Sequence, residues 1–151
     1  MLFRFGSRPG TYYVNGYDLP SRFLHALAPT TYHEAIPGHH FQIALEMELE
    51  FLPDLRKHAS HLAGNAYVEG WGLYSERLAD ELGLYRSEME RFGMLQGQAH
   101  RAARLVVDTG IHAFGWSRDK GVEFMESVGL PRTDAEIETD RYIAWPAQAL
   151  C

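Results

Sequence analysis

The sequence has 151 residues, 46% hydrophobic and 23% charged, which is the composition of one globular domain or part of one and excludes intrinsic disorder. Lysine and arginine number 14 against 20 aspartates and glutamates, a net charge of −6, so nucleic acid is not an expected partner. A single cysteine, Cys151, excludes an internal disulfide and a cysteine-based zinc cluster.

No apolar run reaches the roughly 18–20 residues of a membrane span. The N-terminus, Met-Leu-Phe-Arg-Phe-Gly, lacks the apolar core of a secretory signal. The chain therefore reads as soluble, cytoplasmic by default, with its localisation otherwise open.

Residues 6–20 are rich in Gly, Pro and Asn around one β-prone run, Thr11 to Val14, which predicts turn, short strand, turn. From about Ser21 the pattern becomes helical. Phe41, Ala44, Leu45 and Leu49 follow helix periodicity, with Pro37-Gly38 interrupting the stretch 31–50 and Pro53 closing it. A second helix is expected from Leu62 to Leu82, ending at Gly83. A third spans Ser87 to Ile111 with the apolar stripe Phe92, Leu95, Ala99, Ala102, Val106. Ser117 is an N-cap for a fourth, ending near Gly129-Leu130-Pro131. Thr133-Asp-Ala-Glu136 has the form of a capping box opening a fifth, which runs to Trp145-Pro146. With no repeat or linker, the reading is a mostly α, single partial domain over 1–151 with a short N-terminal strand/turn region.

Three of the eight histidines fall in His33-Glu34-Ala-Ile-Pro37-Gly38-His39-His40. Zinc peptidases commonly place two His four apart on a helix with a Glu after the first as base, but four after His33 stands Pro37. At about 100° per residue His39 lies roughly a third of a turn off the His33 face, while His40 returns to it about 10 Å further along the axis. Neither shares one metal with His33 on a straight helix, since Zn–N distances are about 2.0–2.1 Å. A break at Pro37-Gly38 would change that geometry. The segment is thus either a modified metal site or a helix end that carries histidines. Thr31 to Glu34 also fits a capping box, in which Glu34 would serve only the backbone.

Glu69, beside Gly70, would complete a His₂Glu set with an open position for water, or else is a solvated helix charge. Glu76, seven residues on, could substitute for it, although Arg77, Asp80 and Glu81 around it look like solvated surface. Arg104, Asp108 and His112 are spaced by four and form either an exposed ladder of ion pairs or a set in which Asp108 orients His112 and His112 or Arg104 faces a developing oxyanion. Gly110 beside them and Tyr142 in the fifth helix fit the second alternative.

The stretches HEAIPGHHFQ, AYVEGWGLYSERL, RAARLVVDTGIHAFGWSRDKGVEFM and DRYIAWPAQAL, with the opening GSRPGTYYVNGYDL, resemble the bacterial family catalogued as domain of unknown function 885, from about Gly6 to Leu150. That family is similar to helical zinc metallopeptidases of the thermostable carboxypeptidase and oligopeptidase kind. The resemblance implies Zn²⁺ held by His33, His39 and Glu69, with Glu34 as base and Arg104, His112 and Tyr142 lining the cleft. It favours His39 over His40, because the family pattern needs the His directly after Pro-Gly. Gln98 departs from it, standing where members often carry Glu.

Family chains are several times longer, so the segment reads as a catalytic piece of a larger fold acting on a peptide or amide substrate. By itself it is expected to be a poor peptidase, and to self-associate or meet a complementary chain over the stripe on its third helix. The alternative is a non-catalytic fragment or binding module that keeps the metal site without turnover. A di-iron carboxylate bundle, also helical, is set aside because no Glu here has a His three residues later.

Overall fold

The computed structural model describes residues 10–58 and 65–150. Seven α-helices follow one another among the described residues: α1 (Leu27–Glu34), α2 (His39–Glu48), α3 (Asp54–His58), α4 (Asn65–Glu81), α5 (Glu88–Phe114), α6 (Arg118–Ser127) and α7 (Arg132–Ala144). Short 3₁₀ turns at Leu19–Ser21, Leu24–Ala26 and Gln148–Leu150 complete them, and no strand occurs among the described residues. The fold is all-α. Thr11 to Val14 are exposed and form no strand, because a single β-prone run has no neighbour with which to share a ladder.

The backbone groups into two compact units, Met1–Met94 and Leu95–Cys151. In the first, α1 packs chiefly on α4, and α2 also contacts α4. Helix α4 and the loop after it tie the α1 end of this pairing. The Ser75 hydroxyl lies 3.1 Å from the Tyr32 carbonyl oxygen, and the Tyr32 hydroxyl donates to the Leu84 carbonyl at 2.9 Å. Helix α4 stops where the sequence predicts, with Gly83 at φ 69°, the left-handed conformation that glycine adopts without a Cβ penalty. The expected start at Leu62 lies outside the described residues.

In the second unit, Val107, Val122, Met125, Ala135 and Tyr142 form the buried core. Ser117 caps α6 by accepting from the Lys120 amide. Thr133 does not cap α7: the helix begins one residue earlier, after Pro131, and Glu136 instead accepts from Arg132 Nε at 2.8 Å. Gly110 makes room for the Trp116 ring, whose Cε3 would lie 2.6 Å from a Cβ at that position. Its role is packing.

On α5 the stripe Phe92, Leu95, Ala99, Ala102 and Val106 stays exposed. The hydrophobic side chains this helix buries, Met94, Ala103 and Val107, follow or precede the stripe by one or two positions.

Candidate metal centre

Helix α1 ends at Glu34, and the chain restarts as helix at His39. Proline disfavours the helical conformation in the residue before it, and the Ile36–Pro37 peptide is cis. Gly38 follows with its Cα pressed against the Tyr32 and His33 carbonyls, so that any side chain there would overlap backbone atoms. Helix α4 secures the break through Trp71, whose indole N–H donates to the Pro37 carbonyl at 2.8 Å.

This break brings His39 to His33. Their rings meet edge to face, with centroids 4.6 Å apart. Glu69 Oε2 lies 3.6 Å from His33 Nε2 and 3.9 Å from His39 Nε2. His33, Glu34 and His39 each also offer a donor atom within 4.8 Å of the other two. His40 turns away and sits over Gly10, whose Cβ would lie 2.9 Å from the His40 Nδ1.

The donor set suits zinc. Two ligands of a tetrahedral ion at 2.0–2.1 Å stand roughly 3.3–3.4 Å apart. The observed 3.6 and 3.9 Å exceed this by a few tenths of an ångström.

Two features around the cluster are absent from the sequence reading. Glu76 is 1% exposed, not solvated, and its Oε1 accepts from His33 Nδ1 at 2.7 Å. That bond places the proton on Nδ1 and leaves the Nε2 lone pair facing Glu69, the carboxylate–histidine arrangement that orients metal ligands. The second feature is Gly72. A Cβ there would lie 2.6 Å from His33 Cε1 and Nε2 and 2.7 Å from His39 Cε1, so the bare backbone of α4 is the seat for both rings. Gly70, two residues earlier in α4, has no described atom within 4 Å of a Cβ built on it. The signal available for both was spacing: Glu69, Gly72 and Glu76 fall within roughly 60° of one another on a helix.

Thr31 lies inside α1, its hydroxyl donating to the Leu27 carbonyl at 2.8 Å, and Glu34 is the last helical residue. The pair therefore caps no helix start. The Glu34 carboxylate is exposed and, with His39 and His40, lines a cavity of about 550 Å³ that Tyr12, Tyr13 and Ile36 also border. Burial lowers the pKa of His39 below the ordinary value, as does the charge of His33, against the opposing pull of Glu69 and Glu34. Imidazole is thereby favoured over imidazolium, as a ligand requires.

Arg104, His112 and Tyr142 belong to the second unit. Asp108 is buried and its carboxylate accepts from the Ala147 amide at 3.0 Å, so it neither orients His112 nor joins an exposed ladder. The exposed His112 donates from Nε2 to the Tyr142 carbonyl at 2.9 Å. The Tyr142 hydroxyl is fully buried and donates to Glu138 Oε2 at 2.7 Å, while burial raises its pKa well above the usual phenol value. Arg104 donates from Nη2 to Gln148 Oε1 at 3.2 Å.

Residues 4–151 match the family described as bacterial protein of unknown function, DUF885. The chain belongs to the DUF885 family. No curated protein matches it. The DUF885 segment is similar to a solved structure, "the putative lipoprotein from Colwellia psychrerythraea", at 46% identity and a TM-score of 0.87 over 97% of this chain. It spans 25% of the length of that protein. Among the described residues of this DUF885 chain, no helix is long and apolar enough to cross a membrane.

Proposed function

We propose that this DUF885 segment carries the zinc site of a metallopeptidase-like hydrolase that cleaves peptide or amide bonds. The observation that supports this reading best is the convergence of His33, His39 and Glu69 with Glu76 hydrogen-bonded behind His33. His33 and His39 supply neutral nitrogen ligands, Glu69 a carboxylate, and Glu76 fixes the ring and tautomer of His33. A bound zinc ion supplies Lewis-acid activation of water and of the scissile carbonyl.

Glu34, exposed at the edge of the cavity beside His39, accepts the proton of the attacking water and returns it to the leaving nitrogen. Of the three residues assigned to charge stabilisation, His112 and Tyr142 have their N–H and O–H committed to protein acceptors. Arg104 donates from Nη2 to Gln148, within the second unit.

The test is metal analysis of wild type, His33→Ala and Glu34→Gln, followed by single-turnover peptide cleavage. The expected result is about one zinc per chain, lost in His33→Ala and kept in Glu34→Gln, with any cleavage abolished in both. Equal zinc in wild type and His33→Ala would overturn the reading.

A further inference from the structure

The face of α2 that carries His39 continues along the helix. Beyond His39, its residues Gln42 and Glu46 are 5% and 8% exposed and line a separate cavity of about 480 Å³ between α2, α3 and α4. The walls are Phe41, Leu45, Leu49, Leu52, Tyr67 and Trp71, three of them aromatic. Among the described residues, neither the Gln42 amide nor Glu46 Oε1 has a hydrogen-bond partner of ordinary geometry, although these atoms are shielded from solvent. Buried acceptors left unmatched are costly, and a carboxylate more so than an amide. Arg56, the cation of this cavity, does not answer them: it is exposed and stacked 4.3 Å over the Tyr67 ring. The buried end thus offers the Glu46 carboxylate as acceptor, with the Gln42 amide between it and His39, behind a collar of aromatic faces and leucines. An alkyl shaft ending in a cation matches both parts, since ring faces attract cations and a carboxylate accepts charge-assisted hydrogen bonds.

We propose that this cavity binds the basic side chain of a peptide, lysine or arginine, its shaft against Phe41, Leu45 and Trp71 and its cationic head on Glu46 and Gln42. Because His39 and Gln42 are one turn apart on α2, the cavity adjoins the metal centre. Its identity as a specificity subsite rests on the hydrolase reading; the binding itself does not.

The test titrates the metal-free chain with Nα-acetyl-lysine amide and with Nα-acetyl-norleucine amide, which shares the shaft and lacks the charge. Binding is followed through the Trp71 indole N–H resonance. The lysine compound should bind at least about tenfold more tightly, and Glu46→Gln should cut that preference to about threefold or less. Leu49→Trp, which fills the cavity, should abolish binding of both while the far-ultraviolet circular dichroism stays that of wild type. Equal binding of the two compounds, binding of neither, or a lysine preference that survives Glu46→Gln overturns the proposal. The same titration on His33→Ala separates the two readings: unchanged lysine binding there upholds the pocket whatever the zinc analysis gives.

Discussion

Substituting Gly72 by alanine sets two effects of opposite sign against each other. Alanine in a helix interior is favoured over glycine by about 0.8–1 kcal/mol. At Gly72 the new methyl would lie 2.6 Å from His33 and 2.7 Å from His39, whereas ordinary carbon contacts fall at about 3.5–4.0 Å. Each ring must retreat by roughly 0.8 Å or more, and forced overpacking costs about 1–3 kcal/mol. His33 cannot retreat freely, because Glu76 holds its Nδ1 at 2.7 Å. Metal–ligand distances tolerate only about 0.2 Å, so zinc affinity should fall by about 10–100-fold or more. Gly70→Ala is the control: it lies in the same helix with nothing described within 4 Å, and should stabilise the chain while leaving zinc binding unchanged. The assay is competition with a chromophoric zinc chelator, alongside thermal melts. If Gly72→Ala matches Gly70→Ala in both, α4 is not the seat of the histidines.

Other expectations follow from the same geometry. His39→Ala should lose zinc and His40→Ala should keep it, as read by metal analysis of the purified proteins. Glu76→Gln should lower zinc affinity by about tenfold or more without unfolding the chain, which the chelator competition measures. His100, whose pKa burial lowers from 6.5, resists protonation in the folded chain more than in the unfolded one. Stability present above that value is therefore lost as pH falls towards the folded pKa, and His100→Gln should lose less between about pH 7.5 and about pH 5.5 in urea unfolding. The exposed stripe on α5 should drive association visible by light scattering, and Leu95→Glu should reduce it.

The features legible in the sequence were those set by local chemistry. Ser117 as a cap, Gly83 as a helix stop and Pro37-Gly38 as a break each depend on a few neighbouring atoms. The resemblance supplied the pairing of His33 with His39, which spacing on one straight helix argued against. What escaped was set by contact between helices. Glu76 sits among charged neighbours and reads as surface until α1 is laid against α4. Gly70 and Gly72 are equivalent in the sequence, and only the position of two imidazoles tells them apart. Thr133 has a good capping pattern, yet α7 starts earlier because Pro131 fixes its own backbone for a helix entry. The α5 stripe was legible as an apolar row expected to meet another chain, and it is exposed; that the helix packs instead on a neighbouring face with small residues, Ala103 and Gly110, was not legible.

Glu69, Gly72 and Glu76 lie on one strip of α4, so the proposed ligand, the seat and the brace form a rigid ruler. Sliding that helix by a single residue, about 1.5 Å and 100°, would displace all three together. Partial misalignment therefore has no intermediate that keeps two of the three functions. Zinc uptake should be nearly all-or-none with respect to the register of α4. Amides of that helix should gain hydrogen-exchange protection as a block when the metal binds, rather than one turn at a time.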